Sequence, residues 1–113
     1  MSFSVSIRQA DTITVVDIKG TVTYLEADAL HEMFIDLLAK GQKKILLNLS
    51  EVTQLDSSGI GALARGFALI KRDGGDLKMT HLNKQVQRLL EITNLAKIFE
   101  DFPDEQTALH SFK

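Results

Sequence analysis

The hydrophobic residues of this chain recur first at every second position and later at every third or fourth, and this change of period limits the folds available to it. Residues 3–8 alternate apolar and polar side chains, which predicts a strand with one exposed face. The β-branched segment at residues 12–20 predicts a second strand, joined to the first by a turn near Ala10 and Asp11. The chain is therefore expected to begin with a β-hairpin.

Helical and strand patterns alternate after this hairpin. From Leu25 to Lys40 the apolar residues fall on one helical face, and Gly41 is placed to end that helix. This order predicts an α/β fold, a mixed sheet of four to five strands with about four helices packed mainly on one face. The later elements are predicted as a buried strand at 44–49, a helix ending at 72–75, a strand at 76–82, a helix at 84–92, a strand at Ile98 and Phe99, and a helix from Pro103 through Leu109.

Length and composition narrow the possible functions. A chain of 113 residues is expected to form one domain, spanning 1–113, with room for one core. The net charge is −2 and basic residues do not cluster, so no nucleic-acid partner is expected. With no cysteine, no histidine pair at metal-ligand spacing and no signal-like or membrane-spanning segment, we expect a cytoplasmic protein without metal, cofactor or membrane insertion.

The segment QLDSSGIGALA, residues 54–64, places Asp56, Ser57 and Ser58 between a predicted strand and a predicted helix. Any of the three could cap the helix, but one cap needs only one such residue. A nucleophile elbow requires glycines two residues before and two after the serine, and neither serine has both. A phosphate-binding loop would need a longer glycine loop with a lysine.

A serine that is itself modified is the fourth interpretation of this segment. The amino end of a helix tolerates a phosphate, because its free amides and dipole favour negative charge. A phosphate would nevertheless add about −1.5 to −2 charge beside Asp56, and a protein docked there would meet repulsion and a desolvation cost. The fold would survive while the interface failed, as a binding switch requires.

A family resemblance rests on these same residues. The strand KILLNL followed by Asp-Ser-Ser-Gly-Ile-Gly, with an amphipathic helix before it and Ile-Lys-Gly at the end of the second strand, resembles a STAS domain. It is most similar to the stand-alone anti-sigma factor antagonists of bacteria. The resemblance implies that the serine after the aspartate, Ser57, is phosphorylated by a histidine-kinase-like ATPase that is also an anti-sigma factor. The unphosphorylated protein would bind that kinase and release its client, and a serine phosphatase would reset the switch.

The resemblance also implies a partner-binding surface around Ser57. Asp56 is expected to accept a hydrogen bond from the Ser57 hydroxyl or to help position the kinase's metal, and Gly59 and Gly61 to admit partner backbone. One departure is that Thr23 stands where many such antagonists have an acid. The expected surface comprises Thr23, Asp56, Ser57, Ser58, Gly59, Ile60 and Gly61.

The leading interpretation is a non-enzymatic binding module switched by phosphorylation. The alternative is a STAS subunit of a membrane transport complex, such as a lipid ABC transporter, that braces the ATPase without a phosphorylation cycle. A third possibility, a small hydrolase, would require one of three histidines to lie near the serine in space: His31, His81 or His110. The free protein is expected to be a monomer, because the sequence shows no long exposed apolar face.

Overall fold

The computed structural model describes residues 3–112, and it contains a five-stranded mixed sheet and four helices. The elements are β1 (Ser4–Ala10), β2 (Ile13–Val22), α1 (Ala27–Ala39), β3 (Lys44–Leu55), α2 (Ser57–Arg72), β4 (Asp76–Thr80), α3 (Lys84–Ile92), β5 (Glu100–Phe102) and α4 (Glu105–Ser111). The strands lie in the order β1-β2-β3-β4-β5, with β1 antiparallel to β2 and every later pair parallel. The predicted hairpin and the predicted α/β architecture are confirmed.

The central strands are buried on both faces, because helices cover the sheet from either side. Val16 and Leu47 point toward α1, α2 and α3 and belong to the larger apolar cluster. Their neighbours Val15 and Leu46 point the other way, toward a smaller cluster that includes Ala108 of α4. Three helices thus share one face and one covers the other, in agreement with the predicted arrangement.

Strand β3 is longer than predicted, running to Leu55 rather than to residue 49. Its polar second half pairs with the end of β2 alone, since β4 reaches only as far as Asn48. Val52 and Leu55 are buried there while the residues between them are exposed. The burial of this half therefore depends on a long-range pairing that an apolar run cannot reveal.

The predicted boundaries near the carboxyl end require correction. His81 lies outside β4, in the left-handed region at φ 62°. The last strand comes after Ile98 and Phe99, because Phe99 turns into the core and stacks edge-on against Phe67 with ring centroids 5.3 Å apart. Pro103 precedes α4 instead of opening it, since the Asp104 carboxylate is the cap and accepts from the Thr107 amide at 2.8 Å.

Helix α2 packs against α1, and the closest approach lies where Gly66 meets the ring of Phe34. A Cβ added to Gly66 would lie 2.5 Å from Cε2 of the Phe34 ring, so only glycine fits there. Phe34 itself is completely buried. This contact fixes the position of α2, the helix whose first residue is Ser57.

No helix within residues 3–112 combines the length and the apolar character that crossing a membrane requires.

Candidate functional site

The segments after β2 and β3 meet at one edge of the sheet, because the carboxyl ends of parallel strands lie side by side. Val22 pairs with Leu55 at the end of the two strands. The amide of Asp56 then donates to the carbonyl of Val22 at 3.3 Å. Thr23 and Asp56, far apart in sequence, therefore belong to the same site.

Asp56 is the residue that caps α2, with an extended backbone (φ −108°, ψ −177°). Its Oδ1 accepts from the amide of Gly59 at 2.9 Å, and its Oδ2 accepts from the amide of Tyr24 at 3.2 Å. The expected hydrogen bond from the Ser57 hydroxyl does not occur among the residues that the structure describes. The carboxylate instead fastens the β2–α1 loop to the start of α2.

Ser57 is exposed as the first residue of α2, and Ser58 is half-buried beside it. Within residues 3–112 no histidine hydrogen-bonds to either hydroxyl, so the geometry assembles no serine–histidine pair. No group of three or more histidine, aspartate or glutamate side chains in this part of the chain is arranged to hold a metal ion. The site presents a hydroxyl to solvent next to a carboxylate.

Two members of the expected partner surface face inward and must be corrected. Gly59 is buried, and a Cβ there would lie 2.7 Å from Leu55 Cδ1 and would also overlap the carbonyl of Val22. The missing side chain makes room for the chain's own β2 and β3, not for a partner. Ile60 is only 2% exposed and packs in the core.

Gly61 differs from Gly59 because the space beside it is open. It is partly exposed, and the nearest atom to a Cβ built there is Nη1 of Arg65 at 3.5 Å. Because Gly61 has no side chain, the surface of α2 is low one turn beyond Ser57.

Thr23 is joined to an acid that the sequence pattern did not single out. Its amide and its hydroxyl both donate to Oε1 of Glu26, at 2.8 and 2.9 Å. Glu26 precedes α1 and folds back onto Thr23, so its carboxylate lies within the site. A carboxylate thus lies against Thr23, the residue at which the resemblance led us to expect an acid.

Exposed apolar side chains border the site on two sides, and sequence reasoning missed them. Tyr24 and Leu25 are 70% and 72% exposed in the loop that Asp56 holds. Across Leu55, Ile92 of α3 is 70% exposed and lines a cleft of about 160 Å³ with Leu89. The sequence held a signal for the position of Tyr24 and Leu25, because residues that follow β2 lie beside those that follow β3.

Comparisons with known proteins bear on this arrangement of fold and site. The STAS domain family matches residues 4–108. The anti-sigma-B factor antagonist of Bacillus subtilis is 30% identical over 100 residues, which cover 88% of this chain and 91% of that protein. The anti-sigma F factor antagonist of Paenibacillus polymyxa is 26% identical over 110 residues, covering 96% and 94%. A proposed anti-sigma factor antagonist from Thermotoga maritima has a crystal structure that superposes with a TM-score of 0.90 at 25% identity, covering 96% and 93%.

The chain belongs to the STAS domain family. Its relatives include proteins named as anti-sigma factor antagonists, and the segment after β3 that carried the resemblance lies inside the matched residues.

Proposed function

We propose that this protein is an anti-sigma factor antagonist that binds a serine kinase when Ser57 is free and loses that binding when Ser57 is phosphorylated. The observation that carries the proposal is an exposed hydroxyl at the start of α2, bordered by the exposed Tyr24 and Leu25. The names of the relatives support the class of partner. The protein itself acts as a binding module, without turnover of its own.

The apolar side chains around Ser57 supply the affinity in this proposal. Tyr24, Leu25 and Ile92 expose most of their surface in the free protein. Covering apolar surface on docking is favourable by roughly 25 cal/mol per Å². Aromatic side chains such as Tyr24 are common anchors at protein interfaces. The kinase would therefore cover the loop of Tyr24 and Leu25 and the start of α2 together.

The phosphoryl transfer itself belongs to the kinase, which supplies ATP, metal and positioning. The Ser57 oxygen forms a bond to the γ-phosphorus as the bond to ADP breaks, and the hydroxyl proton passes to a base on the kinase or to water. Asp56 contributes by holding the serine's backbone in place through the cap. Hydrolysis by a serine phosphatase would restore the hydroxyl and release inorganic phosphate.

Phosphate at Ser57 would abolish docking without unfolding α2. The amino end of a helix favours an added negative charge, so the helix is retained. A partner covering the site would have to desolvate about two negative charges beside the Asp56 carboxylate. The phosphate therefore destabilises the complex without destabilising the fold, so phosphorylation changes only the binding affinity.

Binding experiments with charge variants test the proposal. Wild type immobilised on beads should retain a soluble histidine-kinase-like ATPase from a lysate, Ser57→Ala should retain it as well, and Ser57→Asp should lose most of it. Ser50→Asp is the matched control, because Ser50 is equally a serine with an exposed position, at the surface of β3. Equal retention by wild type and Ser57→Asp would contradict the switch, and retention of a membrane-bound ATPase by both would instead support the transport alternative.

The site of modification has its own measurement. Incubation with the captured kinase and ATP should place one phosphate on Ser57, identified by mass spectrometry of the digested protein. Phosphate on another residue, with Ser57→Ala labelled as fully as wild type, would contradict the assignment.

A further inference from the structure

Arg65 lies on the same side of α2 as Ser57 and reaches back toward it. Helical side chains lean toward the amino end of their helix, and residues four apart are surface neighbours. Ser57, Gly61 and Arg65 form such a series, and Nη1 of Arg65 lies 3.5 Å from where a Cβ of Gly61 would be. The guanidinium therefore lies over Gly61, the position midway between Arg65 and Ser57 on this side of α2.

In the described part of the chain, the guanidinium of Arg65 has no partner that a phosphate would have to displace. Among residues 3–112 no carboxylate lies within ion-pair distance of it and no side-chain hydrogen bond involves it. By contrast, Arg8 of the same protein is bound to two carboxylates, those of Asp17 and Glu105. Arg65 is exposed, and the absence of a side chain at Gly61 leaves its path toward Ser57 open.

We infer that Arg65 binds the phosphate of phosphorylated Ser57 across Gly61. This inference rests on the function proposed above for Ser57. Cβ atoms one helical turn apart are separated by about 5–6 Å, and the arginine already extends over the intervening position. A phosphate on Ser57 that turns toward the carboxyl end of α2 would come within reach of the guanidinium. Arginine suits this role because its planar fork donates two hydrogen bonds to one phosphate.

This contact would change what a partner meets at the phosphorylated site. A phosphate bound to Arg65 is directed along α2, so that phosphate and guanidinium together cover Gly61. The shallow surface beside Ser57 is then filled as well as charged. Steric exclusion is added to electrostatic repulsion, and the two effects act at adjacent positions on α2.

The contact is tested on full-length protein with phosphoserine incorporated at position 57 through an expanded genetic code, so that no kinase is needed. Phosphorus NMR would follow the second pKa of the phosphate in three proteins, wild type, Arg65→Gln and Arg72→Gln. Arg72 is the matched control because it is also exposed on α2 but lies fifteen residues from Ser57, about 22 Å along the helix and beyond the screening length. The carboxylates of Asp56 and Glu26 near the site are the same in all three.

We expect Arg65→Gln to raise the phosphate pKa by about 0.2 to 0.7 unit over wild type, the range that an exposed ion pair supplies. Arg72→Gln should leave it at the wild-type value. Equal values for wild type and Arg65→Gln would overturn the inference, and so would equal shifts in both variants, which indicate a general effect of charge. Failure of the proposed function is a separate result, since it would appear as a kinase that does not label Ser57.

Discussion

At the scale of single residues, Asp56 caps helix α2, a role that the sequence could not assign to one residue. Aspartate and serine are both good helix caps, so the segment offered three candidates for one position. The backbone conformation identifies Asp56 as the cap, because the chain is extended at Asp56 and helical from Ser57 onward. Because Asp56 takes the cap, the hydroxyl of Ser57 is left free at the surface. The structural residue and the proposed regulatory residue are therefore neighbours with separate tasks.

Replacing Asp56 by alanine should lower the free energy of unfolding by about 1 to 2 kcal/mol, because the amides of Gly59 and Tyr24 both lose their acceptor. Urea unfolding followed by circular dichroism measures the difference. Asp73→Ala is the control, since Asp73 is an exposed aspartate at the other end of α2 and should change stability little. An Asp56→Ala protein as stable as wild type would show that water replaces both hydrogen bonds at no cost.

At the scale of elements, the start of α2 is fixed by contact with the ends of β2 and β3. Gly59 meets Leu55 and the carbonyl of Val22 with no room for a methyl group, whereas a methyl group at Gly61 would meet only the end of the Arg65 side chain. The two glycines of the motif therefore have opposite requirements. Gly59 is needed for packing, and Gly61 keeps the surface beside Ser57 low.

The two alanine variants should consequently change stability in opposite directions. Gly59→Ala forces α2 away from β2 and should cost about 1 to 3 kcal/mol, as overpacking commonly does. Gly61→Ala should stabilise the helix by up to about 1 kcal/mol, since alanine is the better helix former and its methyl group meets Arg65 at an ordinary contact distance. Thermal unfolding of the pair provides the comparison, and a loss of equal size in both variants would contradict the packing argument.

At the scale of the whole molecule, an ion-pair network joins the first strand to the last helix. Arg8 of β1 donates to Asp17 of β2 at 2.8 Å and to Glu105 of α4. Hydrogen bonds from Arg8 lower the pKa of both carboxyls, with Asn48 assisting at Asp17. Because α4 covers the opposite face of the sheet from the other helices, this network helps to close the smaller apolar cluster.

Stability should therefore depend on pH through Arg8. In the folded state the pKa values of Asp17 and Glu105 lie below their ordinary values of about 3.9 and 4.3. At a pH between the folded-state and the unfolded-state pKa values, the unfolded chain therefore binds more protons than the folded protein. The stabilisation is complete above about pH 5 and is lost as pH falls through the folded-state pKa values. Arg8→Gln should reduce stability by roughly 1 kcal/mol at pH 7, a value suited to half-exposed pairs.

Urea unfolding of wild type and Arg8→Gln from pH 7 down to acid measures this dependence, and the two stabilities should converge as both carboxyls become protonated. Arg65→Gln, which removes an exposed arginine without an ion pair in the described part of the chain, should follow wild type. The pKa of Asp101, raised by burial, favours the folded state in acid, but it does so equally in all three proteins. A constant difference between wild type and Arg8→Gln at every pH would contradict the linkage.

The sequence was sufficient for the architecture and for part of the site. Periodicity is a local property, so the hairpin, the order of elements and the apolar faces of the helices could be predicted from it. The second half of β3 and the inward direction of Gly59 depend on pairing with β2, which no single segment encodes. The exposure of Tyr24 and Leu25 depends on where α1 begins, and that is set by the bonds between Thr23 and Glu26.

The strand order β1-β2-β3-β4-β5 has a consequence for synthesis on the ribosome. Each strand pairs with the one made just before it, so no strand has to be inserted between two that are already joined. The hairpin of residues 4–22 is complete before α1 emerges, and every later strand adds to the growing edge. The sheet can therefore form strand by strand as the chain is made, and the edge of the sheet that bears Ser57 is assembled while the carboxyl-terminal third is still being translated.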